Sequence, residues 1–366
     1  MSPSTSASPT GTRAIVGQLL HLAWPILIAQ LLSMTMMVAD TVIAGRYGTA
    51  DLAGVAIGSS YYISVVMLLT GTLQAISPTI AHHVGAGRQE AIAPALQQGF
   101  WLALLLAGPG IALLLNPGFL LEAASVPPAV AAKAADYLAA TAFGLPALLL
   151  YRSFYAFNNA EGRPRVLMAI GLASLGVHAV LARGFALEGW LGEPMGVAGC
   201  ALSNVLIGWA ACLSGAAYLA WGPLRAAYRP FANWQPPRWQ TARELLRIGL
   251  PMGFANLVEI TSFTLIALFI ASLGAPVVAG HRIVANLSAL VYMLPLSLAI
   301  ATMAALGQAV GARDRLRARM TIRVGLVISA GLSSLMGLLL WLGAAPLIAA
   351  YTDDPAVRAF DASLER

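Results

Sequence analysis

Charge is what this chain has least of. Of its 366 residues only 10% are charged, whereas an ordinary globular chain carries about a quarter, and 59% are hydrophobic. That balance excludes a soluble domain. Cysteine is almost absent too: Cys200 and Cys212 fall in one predicted helix, twelve positions and therefore ~18 Å apart, so they cannot pair with each other. No histidine cluster accompanies them, and they read as small core-filling residues, with no metal site. GxSxG, HExxH and paired-His spacings are missing as well, which leaves an intramembrane enzyme without a nucleophile, a base or metal ligands, so the chain reads as no enzyme. A cleavable leader is also absent: residues 1–13 form a polar, disordered tail whose Arg13 leads directly into an apolar run.

What the chain has instead is long uncharged runs, among them 52–87, 91–121 and 283–312, each longer than the ~20 residues needed to cross a ~30 Å hydrocarbon core. Backbone groups in lipid must be satisfied internally, so these runs should be helices, and they lack the ~10-residue alternation of an outer-membrane barrel. Gly, Pro and charge punctuation predicts nine spans, near 14–44, 52–81, 92–115, 132–155, 165–187, 195–221, 244–272, 276–309 and 320–350. Arg183 and Glu188 crowd the end of the fifth. Pro25, Pro146, Pro251 and Pro295 fall inside spans and predict kinks.

One stretch occurs twice. Residues 25–88 and 251–314 align without a gap at an offset of 226, with Pro25 on Pro251, Gly48 on Gly274, and Val84-Gly85-Ala86 on Val310-Gly311-Ala312. A duplicated apolar bundle with a site between its halves is a common transporter plan. The expected organisation is a six-span N-lobe over 14–221, a cytoplasmic linker over 222–243 (GPLRAAYRPFANWQPPRWQTAR), and a partial C-lobe over 244–366. Six spans per repeat make the repeat parallel, not inverted. Basic residues set the orientation: Arg13, Arg88, Arg163, Arg165, Arg225, Arg229, Arg238, Arg243, Arg247 and the arginines of 313–323 fall on one side, against Arg46, Lys133, Arg183 and Arg358 on the other. The positive-inside bias puts the N-terminus in the cytoplasm and explains the net charge of +6 through membrane lipids, with no nucleic acid as partner.

Carboxylates inside the spans are rare enough to single out. Asp40 lies in MTMMVADTVIAG of the first span and Glu259 in GFANLVEITSF of the seventh. A charge near the bilayer centre costs ~3 kcal/mol on insertion scales, so such residues normally face a cavity or a partner and take part in transport. Desolvation raises and a bound cation lowers a carboxyl pKa, the physical basis of a proton- or sodium-coupled switch. The bland alternative makes each a structural residue at a helix end, or paired with Arg152 or Arg282. By the repeat offset Glu259 corresponds to Ser33, so the two acids differ by seven positions, or ~10 Å of depth. Met36 and Met37 beside Asp40 offer an adaptable apolar wall for varied substrates, with lipid-facing filler as the competing reading. Asn256 joins the candidate cavity residues.

The string MVADTVIAGRYGTADLAGVAIG, the ending TIAHHVGAGR, NAEGRPR, GVAGCALSN and GLPMGFANLVEIT together resemble the multidrug and toxic compound extrusion (MATE) transporters over roughly residues 15–358, with the NorM-like branch suggested by the acid of the seventh span. The resemblance implies an all-α polytopic membrane protein of two six-helix lobes around a central cavity. It also implies a Na⁺- or H⁺-coupled antiporter that exports cationic or amphiphilic small molecules by alternating access, as a monomer without cofactors, in a bacterial inner membrane. Asp40 matches the functional acid of the family's first helix and Glu259 that of its seventh. Asn204 falls where the family places a small polar residue, and His178 where it often places asparagine or aspartate. His178 titrates near neutral pH in an ordinary setting, though a lone helical histidine is more often a packing residue.

The family has twelve helices, and YTDDPAV at 351–357 is the repeat counterpart of SVPPAV at 125–130, so the chain reads as truncated after the ninth span, with a non-functional fragment as one alternative. The other alternative, a lipid-linked oligosaccharide flippase, should line its cavity with several cations, for which only Arg152 and Arg282 are available.

Overall fold

A computed structural model describes residues 11–44, 49–124, 126–193, 195–271 and 275–343, so the expected ends of the chain at 1–10 and 344–366 lie outside the described residues. The described residues are helical and connected by short turns. In chain order the helices are α1 (Thr12–Ala44), α2 (Thr49–Leu73), α3 (Ile76–Gly85), α4 (Gln89–Leu115), α5 (Gly118–Ala123), α6 (Pro128–Ala142) and α7 (Leu145–Ala160). They continue with α8 (Pro164–Ala182), α9 (Val197–Trp221), α10 (Leu224–Tyr228), α11 (Trp239–Ala271), α12 (Ala275–Gly311) and α13 (Arg315–Leu342). Among the described residues eight helices are long and apolar enough to cross a membrane, and α6 with α7, bent by 49°, make a ninth. Each expected span falls on one of these, with ends shifted by a few residues, while the ends expected at 272 and 350 lie outside the described residues.

Proline explains where spans break, but only in part. A proline removes its own N–H and collides with the carbonyl four residues earlier. Pro146 aims at Ala142, where α6 stops, and Pro78 aims at Gln74, in the turn between α2 and α3. Pro25, Pro251 and Pro295 lie inside helices that run on through them, so no break accompanies the expected kinks. The crowded end of the fifth span also resolves: α8 loosens into a π-helical turn, Arg183–Glu188, whose two charges pair at 2.7 Å.

The linker is shorter and better anchored than its composition suggests. α11 begins at Trp239, so the last residues of 222–243 are already helical. Gln97 of α4 donates to the Pro230 carbonyl at 2.8 Å and accepts from the Gln235 N–H, while Gln98 donates to Pro236 and accepts from the Arg238 N–H. Trp234 stacks on Phe100 and Phe231. Buried amides find partners because an unmade hydrogen bond is expensive, and here two glutamine side chains satisfy the strap that leads from one lobe to the other.

Packing, not hydrophobicity, holds helices together in lipid, which rewards small residues at crossings. The crossing of α3 with α12 shows the repeat at work. A Cβ on Gly85 would strike the Gln308 backbone, and a Cβ on Gly311 would strike the His82 carbonyl. Gly85 and Gly311 are counterparts at the 226 offset, and so are His82 and Gln308. The contact is thus made twice, related by the pseudo-twofold between the repeats. Gln308 adds a hydrogen bond to the Ala160 carbonyl at 2.7 Å, joining α12 to α7. This crossing lies at the arginine-rich end of the bundle, where Arg88, Arg163 and Arg313 lie in the neighbouring turns.

Candidate functional site

The expected site residues separate into two groups. Asp40, His178 and Asn204 converge inside the N-lobe, where the last turns of α1 meet α8 and α9. Asn204 Nδ2 donates to Asp40 Oδ2 at 2.6 Å, and His178 Nε2 lies 3.0 Å from Asp40 Oδ1. A hydrogen bond to a charged group is worth roughly 1.5–3 kcal/mol. The His178 approach has ion-pair distance without hydrogen-bond geometry, and both ring nitrogens are otherwise unpartnered. The ring is fully buried, whereas the Asp40 side chain keeps 24% of its exposure. His178 and Asn204 both face Asp40, and neither lines the cavity described next. Met37 is 55% exposed, and neither it nor Met36 lines the cavity described next.

That cavity, about 380 Å³, lies between the lobes and is lined from α1, α2, α3, α7, α11 and α12. Glu259 and Asn256 both reach it, together with Gln30, Arg152, Tyr155 and Tyr292. The Tyr292 hydroxyl faces the Glu259 carboxylate. Arg152 lies over the Tyr155 ring, 5.6 Å from its centroid, and its buried Nε has no hydrogen-bond partner. Among the described residues Glu259 forms no ion pair with Arg152, and the Arg282 side chain lies outside them. On α12 the lining ends at Met303, before the Gly307–Gly311 segment of the crossing.

Sequence reasoning missed most of this wall, although a signal was present. Gln30 and Asn256, Met67 and Met293, Thr70 and Leu296, Gln74 and Ile300, and Ser77 and Met303 are five pairs of repeat counterparts, and every member lines the cavity. Projecting the 226 offset onto helix faces would have found them. Arg152, Tyr155 and Asn159 of α7 have no counterparts within 366 residues, and no such signal marks them. Glu259 lines the cavity while its counterpart Ser33 does not.

Outside the spans, Glu161 sits at the end of α7, accepts from Tyr228 Oη at 2.9 Å, and has its carboxyl pKa raised from 4.5, mainly by burial.

Comparison with known proteins agrees with this geometry. The MatE family model matches residues 25–183 and again 251–363, two matches whose starts differ by the same 226 positions. The chain is 58% identical over 353 residues to a probable multidrug resistance protein NorM of Aromatoleum aromaticum, covering 96% of this chain and 76% of that protein. It is 37% identical to the multidrug resistance protein PmpM of Pseudomonas aeruginosa over 360 residues, 96% of this chain and 74% of PmpM. In three dimensions it resembles a crystal structure of the eukaryotic MATE transporter AtDTX14 with a TM-score of 0.84, 19% identity and coverage of 97% of this chain and 78% of that one. An outward-facing MATE transporter gives 0.84 at 21% identity, covering 95% and 77%.

Proposed function

The chain belongs to the MatE family, and from that premise we propose that it exports cationic or amphiphilic small molecules in exchange for inward flow of Na⁺ or H⁺, by alternating access across a bacterial inner membrane. The observation that carries this reading is the cavity between the lobes, which sets one membrane carboxylate, Glu259, among aromatic, amide and methionine side chains. A cationic amphiphile finds a counter-charge there, π faces on which to stack, and a wall whose thioethers adapt to shape. NorM and PmpM, the relatives at 58% and 37% identity, are described as multidrug resistance proteins, which supports the substrate class.

Asp40 and Glu259 are the coupling carboxylates in this reading. Asp40 sits away from the cavity and holds its ion or proton with His178 and Asn204, so occupancy changes the packing of α1 against α8 and α9. Glu259 takes the coupling ion in direct competition with a cationic substrate. In this reading the α3–α12 crossing is the cytoplasmic closure, which the arginine-rich turns around it support. The N-terminus is cytoplasmic, and a single chain in lipid does the work.

The test is Asp40→Asn and Glu259→Gln, each nearly isosteric, in cells given a fluorescent cation. Each variant should insert normally and lose ion-driven efflux. Unchanged efflux in both variants would reject the assignment. Imposing a sodium gradient at constant pH, and then a pH gradient without sodium, separates the two coupling ions.

A further inference from the structure

The cavity holds charges of both signs, and the proposed export of cations uses only one of them. Arg152 on α7 and Glu259 on α11 line the same space from opposite lobes, and among the described residues they form no ion pair with each other. The guanidinium is fixed from one side by the Tyr155 face, and its Nε is buried without a hydrogen-bond partner. A guanidinium in a membrane interior is costly unless something accepts its hydrogens. Its fork of donors suits a carboxylate, which can accept two of them at once.

We propose that Arg152 is an anion-binding subsite of the cavity, and that Arg152 and Glu259 hold the two ends of an amphoteric substrate bearing both a carboxylate and a cationic nitrogen. This rests on the reading that the cavity binds exported compounds. The carboxylate end docks on Arg152, beside Asn159 and the Tyr155 ring. The cationic end docks on Glu259, beside Tyr292 and Asn256. An apolar middle spans Met67, Met293 and Leu296. Because the two charged residues come from different lobes, such a ligand bridges the lobes, while a simple cation engages Glu259 alone.

The test compares rhodamine B, a cationic xanthene carrying a free carboxylate, with its ethyl ester, in which an O-ethyl group replaces that negative charge. Binding of each dye to the purified full chain in detergent is followed by fluorescence polarisation. Arg152→Gln should weaken rhodamine B by about tenfold or more, the scale of one lost charge-assisted hydrogen-bonded contact, and leave the ester within about twofold. Arg152→Lys should recover part of the loss, which a misfolded protein would not do. Glu259→Gln should weaken both dyes. Equal effects of Arg152→Gln on acid and ester, or none on either, would overturn the proposal and leave cation export standing. If the unaltered protein binds neither dye, the proposed substrate class falls along with it.

Discussion

The two membrane carboxylates look alike in sequence and differ in everything around them. Asp40 is enclosed in one lobe, held by an amide at 2.6 Å and faced by a buried imidazole at 3.0 Å. Glu259 stands in a cavity between lobes, with a tyrosine hydroxyl before it and an arginine sharing the space. The first arrangement suits an ion or proton that must be held and released within a fixed shell. The second suits a ligand of variable shape, because most of its wall is apolar. In the proposed reading, coupling charge is held at Asp40 within one lobe, and substrate competes with it at Glu259 between the lobes.

The largest effect that would test this separation comes from the closure. Gly85→Ala or Gly311→Ala puts a methyl group into backbone at the α3–α12 crossing. Overpacking of this kind costs roughly 1–3 kcal/mol, which should favour the form open at that end. Efflux should drop several-fold, with expression unchanged and the Asp40 cluster undisturbed. Because the contact is made twice through the pseudo-twofold, the two variants should resemble one another closely. Strongly unequal effects would show that the two halves of the crossing do different work.

A smaller effect is expected at His178. His178→Asn removes the imidazole but keeps a polar group near Asp40, so ion-driven efflux should fall while dye affinity in the cavity stays within about twofold. An altered dye affinity with unchanged ion-driven efflux would show that the two sites are not separate.

The smallest effect lies outside both sites. Folded Glu161 holds its proton more tightly than the unfolded chain does, because burial raises its pKa above 4.5. The folded state therefore binds more protons than the unfolded state just above that value, and this contribution to stability falls as pH rises through the window. Glu161→Gln should remove the dependence and leave Tm equal to or above that of the parent at neutral pH, with the Tyr228 bond still accepted by the amide oxygen. A lower Tm at every pH would show that the carboxylate itself holds the α7 end against Tyr228.

How much of this was legible beforehand follows from the kind of signal each feature leaves. Spans were readable because uncharged length survives without tertiary information, and the repeat was readable because its copies keep a constant, ungapped offset. Asp40 and Glu259 were readable because a charge in lipid needs a reason. The partners were not. α1 is apolar on nearly every side, so no periodicity tells which face meets α8, which meets the cavity and which meets lipid. Met36 and Met37 looked like a substrate wall on chemistry alone, yet the methionines that line the cavity are Met67, Met293 and Met303. The placement of His178 against Asp40 joins residues 138 positions apart, and Arg152 and Glu259 share a cavity only because two lobes come together. The linker misled differently: its prolines and arginines suggest a free polar segment, and its anchorage depends on two glutamines more than a hundred positions earlier.

The separation of the two carboxylates is tested most directly by the affinity of a permanently cationic dye such as ethidium, measured with and without the coupling ion in Asp40→Asn and Glu259→Gln. The account predicts that Asp40→Asn binds dye within about threefold of the parent and keeps the competition between dye and ion at Glu259, whereas Glu259→Gln loses about tenfold or more in affinity and that competition with it. Equal loss of affinity in both variants, or a competition that survives in Glu259→Gln, would contradict it.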